Sequence, residues 1–185
     1  MNISDIILEH QEIISHLHLD HNIIMAIADK LYWAIRHDKT IFWFGNGGSA
    51  ADAQHLAAEF IGRFRQNRRA LSSIALTTDT SVITAVANDY GYDEIFRRQL
   101  EALCQPGDVA VGISTSGSSM NVVNGLKEAK RNGATTIALL GKSNGLMAEV
   151  ADLKLNISSM NTARIQEAHI LCGHIFCEYI EDHEL

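Results

Sequence analysis

Five short apolar runs, each followed by helix-like sequence, set the order of this chain. They read "TIFWFG" (40–45), "LSSIALT" (71–77), "VAVGIS" (109–114), "TTIALLG" (135–141) and "LKLNIS" (153–158). Runs of this kind fit strands covered on both faces, and strands alternating with helices fit a parallel sheet between two helical layers. The intervening helices are predicted from Gly47 to Gly62, Thr80 to Ala87, Asp93 to Leu103, Ser119 to Asn132, near 145–150, and from Thr162 to Glu181. "QPGD" (105–108) marks a turn, and Gly133 is a suitable helix stop. Before the first strand, Ile6, Ile7, Ile13, Ile14, Leu17, Ile23, Ile24, Ile27, Leu31 and Ile35 recur at three- and four-residue spacing, which predicts one or two amphipathic helices. The fold class expected is α/β: a three-layer sandwich on a five-stranded parallel sheet, preceded by an N-terminal helical segment. One domain spans residues 1–185, and its segment 1–38 packs on the core or on a partner subunit.

Function classes narrow quickly. The longest apolar runs are too short to span a bilayer, and acids and histidines interrupt the N-terminus as no signal peptide would, so a cytoplasmic protein is expected. Cys104, Cys172 and Cys177 form no CxxC pair and are read as buried free thiols. A formal net charge of −7 argues against a nucleic-acid-coating surface. Any anionic ligand must therefore be held by local geometry.

Two strand–loop–helix junctions offer such geometry, at 40–62 and 109–132, and both belong on the ligand-binding edge of a doubly wound sheet. "STSGSSMN" (114–121) places five hydroxyls and a glycine before a helix, which suits a phosphate monoester or serves only as a capped turn. No Walker lysine follows, so a nucleoside triphosphate is disfavoured. "GNGGSAAD" (45–52) is poorer in hydroxyls, with Ser49 as a candidate N-cap and Asp52 completing a weak capping box. His55 and Glu59, four residues apart, share a helix face as a metal or acid/base pair, or as a hydrogen-bonded surface pair. On the last helix, Gln166 and His174 are about 12 Å apart in rise and about 80° in rotation. One metal could join them only through long reach or ligands from more than one chain. His169 is read as a core residue. "GRFRQNRR" (62–69) is read as a solvated loop in which Arg63 could balance charge near an anionic substrate.

Four stretches, "FGNGGSAADAQHLAAEFIGRF", "IALTTDTSVITAVANDYGYDEIFRRQLEAL", "PGDVAVGISTSGSSMNVV" and "ARIQEAHILCGHIFCE", together resemble the phosphoheptose isomerases of the sugar isomerase (SIS) domain family. The resemblance covers about residues 40–180. It implies a flavodoxin-like SIS domain, a homotetramer with active sites between subunits, and one zinc per active site. The implied reaction interconverts sedoheptulose 7-phosphate and D-glycero-D-manno-heptose 7-phosphate, at the start of ADP-heptose biosynthesis. Matched residue by residue, the family's metal positions fall on His55, Glu59, Gln166 and His174. Its phosphate positions fall on Ser49, Ser114, Thr115, Ser116 and Ser119, and its sugar contacts on Asn46, Gly47, Gly48, Asn88 and Asp89, with Glu59 and Gln166 also touching substrate. Glu59 is the expected base and His174 the complementary acid of an enediol isomerisation. Two departures stand out: Asn161 occupies a position where family members often carry an acid, and "SGSSMN" replaces a commoner Gly–Asn–Ser–x–Asn run. The rival reading is a non-catalytic SIS protein that binds the replication initiator DnaA. That reading predicts loss of the acid/base set, whereas Glu59 and His174 are both present. Neither nucleic acid nor membrane is an expected partner.

Overall fold

A computed structural model describes residues 2–184. Two helices lead, α1 (Ile3–His16) and α2 (His21–Arg36), joined by a 3-10 turn. Five strands follow: β1 (Ile41–Gly45), β2 (Ser73–Ala75), β3 (Val109–Ser114), β4 (Thr135–Leu140) and β5 (Leu153–Asn156). They alternate with α3 (Gly48–Ile61), α4 (Thr80–Tyr90), α5 (Ile95–Leu103), α6 (Met120–Arg131), α7 (Met147–Val150) and α8 (Thr162–Glu184). All strand pairs are parallel, in the order β2-β1-β3-β4-β5.

Strand side chains alternate between two cores, which makes the three layers. Ile41 and Trp43 join Val111, Leu139 and Leu155 beneath α2, α3 and α8. Phe42 and Phe44 join Ala110, Ala138 and Leu140 against α5 and α6. In this strand order the direction of winding reverses between β1 and β3. The crevice at their carboxyl ends is the place where such sheets bind ligands.

The second strand is shorter than the predicted 71–77. It is an edge strand paired only with β1, and the Leu71 N–H is taken by the Phe60 carbonyl at the end of α3. The three cysteines are free and buried, and burial pushes each thiol up to about 12. His169 is a core residue, 1% exposed, with Nε2 bonded to the Leu140 carbonyl. Burial, the largest influence, lowers it to about 4.

The N-terminal segment divides its roles. The α2 helix buries Ile24, Ile27, Ala28, Leu31, Ala34 and Ile35 in the core. The α1 helix buries only Ile13 and docks on α8 through polar contacts. His10 Nδ1 lies 2.6 Å from Glu167, and Arg164 donates to the Ile6 carbonyl. Asn161 belongs to this latch: its amide donates to both carboxylate oxygens of Glu9 at 3.1 Å. A carboxylate at position 161 would face Glu9 with like charge, so here the amide suits its neighbour.

Candidate active site

The loop after β1 enters α3 through Gly47, which caps the helix at φ +56, a conformation that side chains rarely adopt. Ser49 is therefore already within the first helical turn, with its N–H bonded to the Asn46 carbonyl. The predicted Ser49–Asp52 capping box does not form: α3 has no side-chain cap, and Asp52 Oδ2 is buried without a hydrogen-bond partner. Burial outweighs the attraction of His55 and raises the Asp52 carboxyl to about 6.

The loop after β3 gathers its hydroxyls. Ser114 Oγ lies 3.3 Å from Ser116 Oγ and 3.2 Å from Ser119 Oγ, and it accepts the Gly117 N–H. Ser119 caps α6 through its backbone carbonyl and makes no side-chain cap bond. Ser119 lines the crevice at the start of α6, where a helix N-terminus suits an anion.

A cavity of about 310 Å³ lies between the two loops. Nine of its eleven lining residues were expected from sequence: Asn46, Gly47, Gly48 and Ser49 from one side, Ser114, Thr115, Ser116 and Ser119 from the other, and Gln166 from α8. Ile113 and Thr162 complete it. Gly48 lets the Gln166 side-chain amide approach closely, because a Cβ there would push that amide aside.

A second cluster forms where α3 meets α8, the two helices that also give Ser49 and Gln166 to the cavity. His55 Nε2 is 3.2 Å from Glu59 Oε1 and 3.3 Å from His174 Nε2. Burial first, and the neighbouring His55 second, lower the pKa of His174 against the pull of Glu59. The neutral imidazole is thereby favoured, the form that donates from one ring nitrogen and accepts or ligates at the other. Phe64 stacks on the His174 ring, with centroids 5.5 Å apart. His55, Glu59 and His174 offer the nitrogen and carboxylate donors that zinc accepts, with His55 next to both of the others. As the side chains stand, no group of three or more His, Cys, Asp or Glu among the described residues is arranged as a metal site. Gln166, the fourth expected ligand, lies in the cavity against Gly48.

Other expectations fared differently. Asn88 and Asp89 sit exposed in the last turn of α4, bonded to each other at 2.7 Å and outside the cavity lining. Arg68 is no solvated loop residue. Its side chain is 4% exposed, its Nε lies 3.2 Å from Glu181, and its Nη2 donates to the Glu59 carbonyl. Arg63 remains on the surface and donates to the Arg65 carbonyl. Sequence reasoning missed Thr162, Phe64, Tyr92 and Asn121. Only Asn121 had a signal, as the last residue of "STSGSSMN".

Comparison with known proteins agrees with this geometry. Residues 8–141 match the family model described as SIS domain. The phosphoheptose isomerase of Aquifex aeolicus is 54% identical over 86% of this chain and 83% of its own. That of Sulfurimonas denitrificans is 52% identical over 92% of this chain and 89% of its own. The solved structure of phosphoheptose isomerase from Neisseria gonorrhoeae superposes with a TM-score of 0.87 at 40% identity, covering 98% of this chain and all of that one. On cavity, cluster and similarity together, the chain belongs to the SIS-domain family and, within it, to the phosphoheptose isomerases.

Proposed function

We propose that the protein converts sedoheptulose 7-phosphate to D-glycero-D-manno-heptose 7-phosphate, the first step of ADP-heptose biosynthesis. The observation that carries this reading is a hydroxyl-lined anion cradle beside a His–Glu–His cluster. Ser114, Thr115, Ser116, Ser119 and Ser49 hold the phosphate, and Asn46, Gly47, Gly48 and Gln166 contact the sugar. Glu59 removes a proton from C1 of the ketose while His174 delivers one to the C2 carbonyl oxygen, giving the cis-enediol. His174 then takes the O1 proton and Glu59 returns its proton to C2, which yields the aldose and restores both groups. A zinc ion held by His55, Glu59, His174 and Gln166 would supply Lewis-acid polarisation of the carbonyl oxygen. Chelation should abolish activity and zinc should restore it, with the circular dichroism spectrum unchanged throughout. Full activity in metal-free protein would remove zinc from the scheme.

The assembly we propose is a homotetramer acting in the cytoplasm. Ile3, Ile7 and Leu8 of α1 are exposed, and α4 buries no residue. A neighbouring subunit would cover these faces and receive Asn88 and Asp89 at its own site. Light scattering should return the mass of four chains, and a monomer would contradict the scheme. The DnaA-binding alternative has no observation in its favour.

The phosphate assignment predicts that Ser119→Ala raises KM about 10- to 100-fold, the value of one hydrogen bond to a charged oxygen. Ser118→Ala, an exposed hydroxyl outside the cavity lining, should leave KM within about twofold of the wild type. Equal effects from the two variants would move the phosphate elsewhere.

A further inference from the structure

The Asn46 side chain lines the cavity, and its orientation is fixed from outside it. The buried Asn121, 2% exposed at the start of α6, takes the Val122 backbone N–H on its Oδ1 at 2.9 Å. A backbone N–H can only donate, so this contact settles which end of the Asn121 amide is oxygen. The same Oδ1 accepts from Asn46 Nδ2 at 2.9 Å, and Asn121 Nδ2 donates to Asn46 Oδ1 at 2.8 Å. The Tyr92 hydroxyl, from the 3-10 turn Tyr92–Glu94, donates to that same Asn46 oxygen at 2.9 Å. Both lone pairs of Asn46 Oδ1 and one of its two N–H bonds are then engaged, which leaves one N–H as its only remaining polar valence. Reversing the amide would set its NH2 group against the Asn121 NH2 and its oxygen against the Asn121 oxygen.

We propose that Asn121 and Tyr92 are positioning residues that make Asn46 a one-way donor toward an oxygen of the bound sugar. The proposal rests on the substrate reading above. Asn121 also lies two residues beyond Ser119, so one helical turn ties the phosphate cradle after β3 to the sugar contact after β1. A substrate seated by its phosphate thus meets a donor already aimed, at no cost in reorganisation.

The test compares Asn121→Asp and Tyr92→Phe with the wild type, by turnover of sedoheptulose 7-phosphate, competitive inhibition by inorganic phosphate, and crystal structure. In Asn121→Asp an oxygen replaces the donor facing Asn46 Oδ1, and since either orientation of the amide sets oxygen against oxygen, the Asn46 side chain should move away. Expected are a fall in kcat/KM of about 10- to 100-fold for Asn121→Asp and about 2- to 10-fold for Tyr92→Phe. In Tyr92→Phe the inhibition constant for phosphate should stay within about twofold, because the serine loop is untouched and no charge is added. Unchanged kcat/KM in either folded variant, or a parallel loss of phosphate inhibition in Tyr92→Phe, would overturn the proposal. If Asn121→Asp does not fold, Tyr92→Phe decides alone, since its side chain is exposed. If the wild type does not turn the sugar over, the substrate reading fails and the crystal comparison still decides. An Asn46 side chain unmoved in Asn121→Asp then refutes the positioning role.

Discussion

Glu59→Gln is expected to lower kcat by about 10²–10⁴-fold, the usual worth of a general acid or base. Glutamine keeps the size and polarity of the side chain on α3 but cannot take a proton from carbon. Its amide can still face His55, which Glu59 Oε1 approaches to 3.2 Å, so folding should survive. His174→Gln should give a loss of similar size. Phe64 packs on the ring and His55 on its Nε2, so no other side chain of the cluster replaces it on that side. Residues that act as a unit are not additive, so the double variant should be little worse than the poorer single. Steady-state kinetics on variants with native circular dichroism checks this, and turnover within threefold of wild type in either single variant would dismiss the assignment.

The second large effect is on stability. Glu181, 2% exposed near the end of α8, accepts the backbone N–H groups of Phe64, Arg65 and Gln66 at 2.8–2.9 Å and pairs with the buried Arg68. Burial alone would raise its pKa, but these N–H groups and Arg68 hold it below the ordinary glutamate value. Removing one partner of a buried pair leaves the other charge uncompensated, at a cost of about 3–5 kcal/mol. Glu181→Ala should therefore lose about that much in urea denaturation, where Glu178→Ala, which removes a half-exposed partner of Arg65, should lose under about 1 kcal/mol. Activity should fall as well, because the segment that Glu181 holds carries Phe64 over His174. A Glu181→Ala protein as stable as the wild type would show that the pair is not needed for the fold.

These two predictions differ in how far the sequence foretold them. The sheet was legible because β1, β3 and β4 are continuous apolar runs, and such runs announce themselves locally. The edge strand β2 was overextended because its ends are decided by a hydrogen bond from Leu71 to Phe60, not by its own residues. The two loops were legible because their glycines and serines sit next to one another in the chain. His55 and Glu59 share a helix face and could be paired by spacing alone. What spacing could not show was contact across distance. Arg68 looked like one of four surface arginines until α8 brought Glu181 to it, more than a hundred residues later. Asn46 meets Tyr92 and Asn121 across 46 and 75 residues, so no local pattern links them. Ser49 was misread as a cap because its residue type is a good one, whereas the positive φ of Gly47 starts the helix earlier. Asn88 and Asp89 were carried by resemblance alone, and among the described residues they lie outside the cavity lining.

The most direct measurement follows sedoheptulose 7-phosphate by carbon NMR after addition of purified protein. A new aldose C1 resonance should grow until both heptose phosphates stand at equilibrium, and Glu59→Gln protein at the same concentration should slow that approach by about 10²-fold or more. A ketose spectrum unchanged by zinc-supplied wild-type protein would contradict the account, as would an aldose formed equally fast without Glu59.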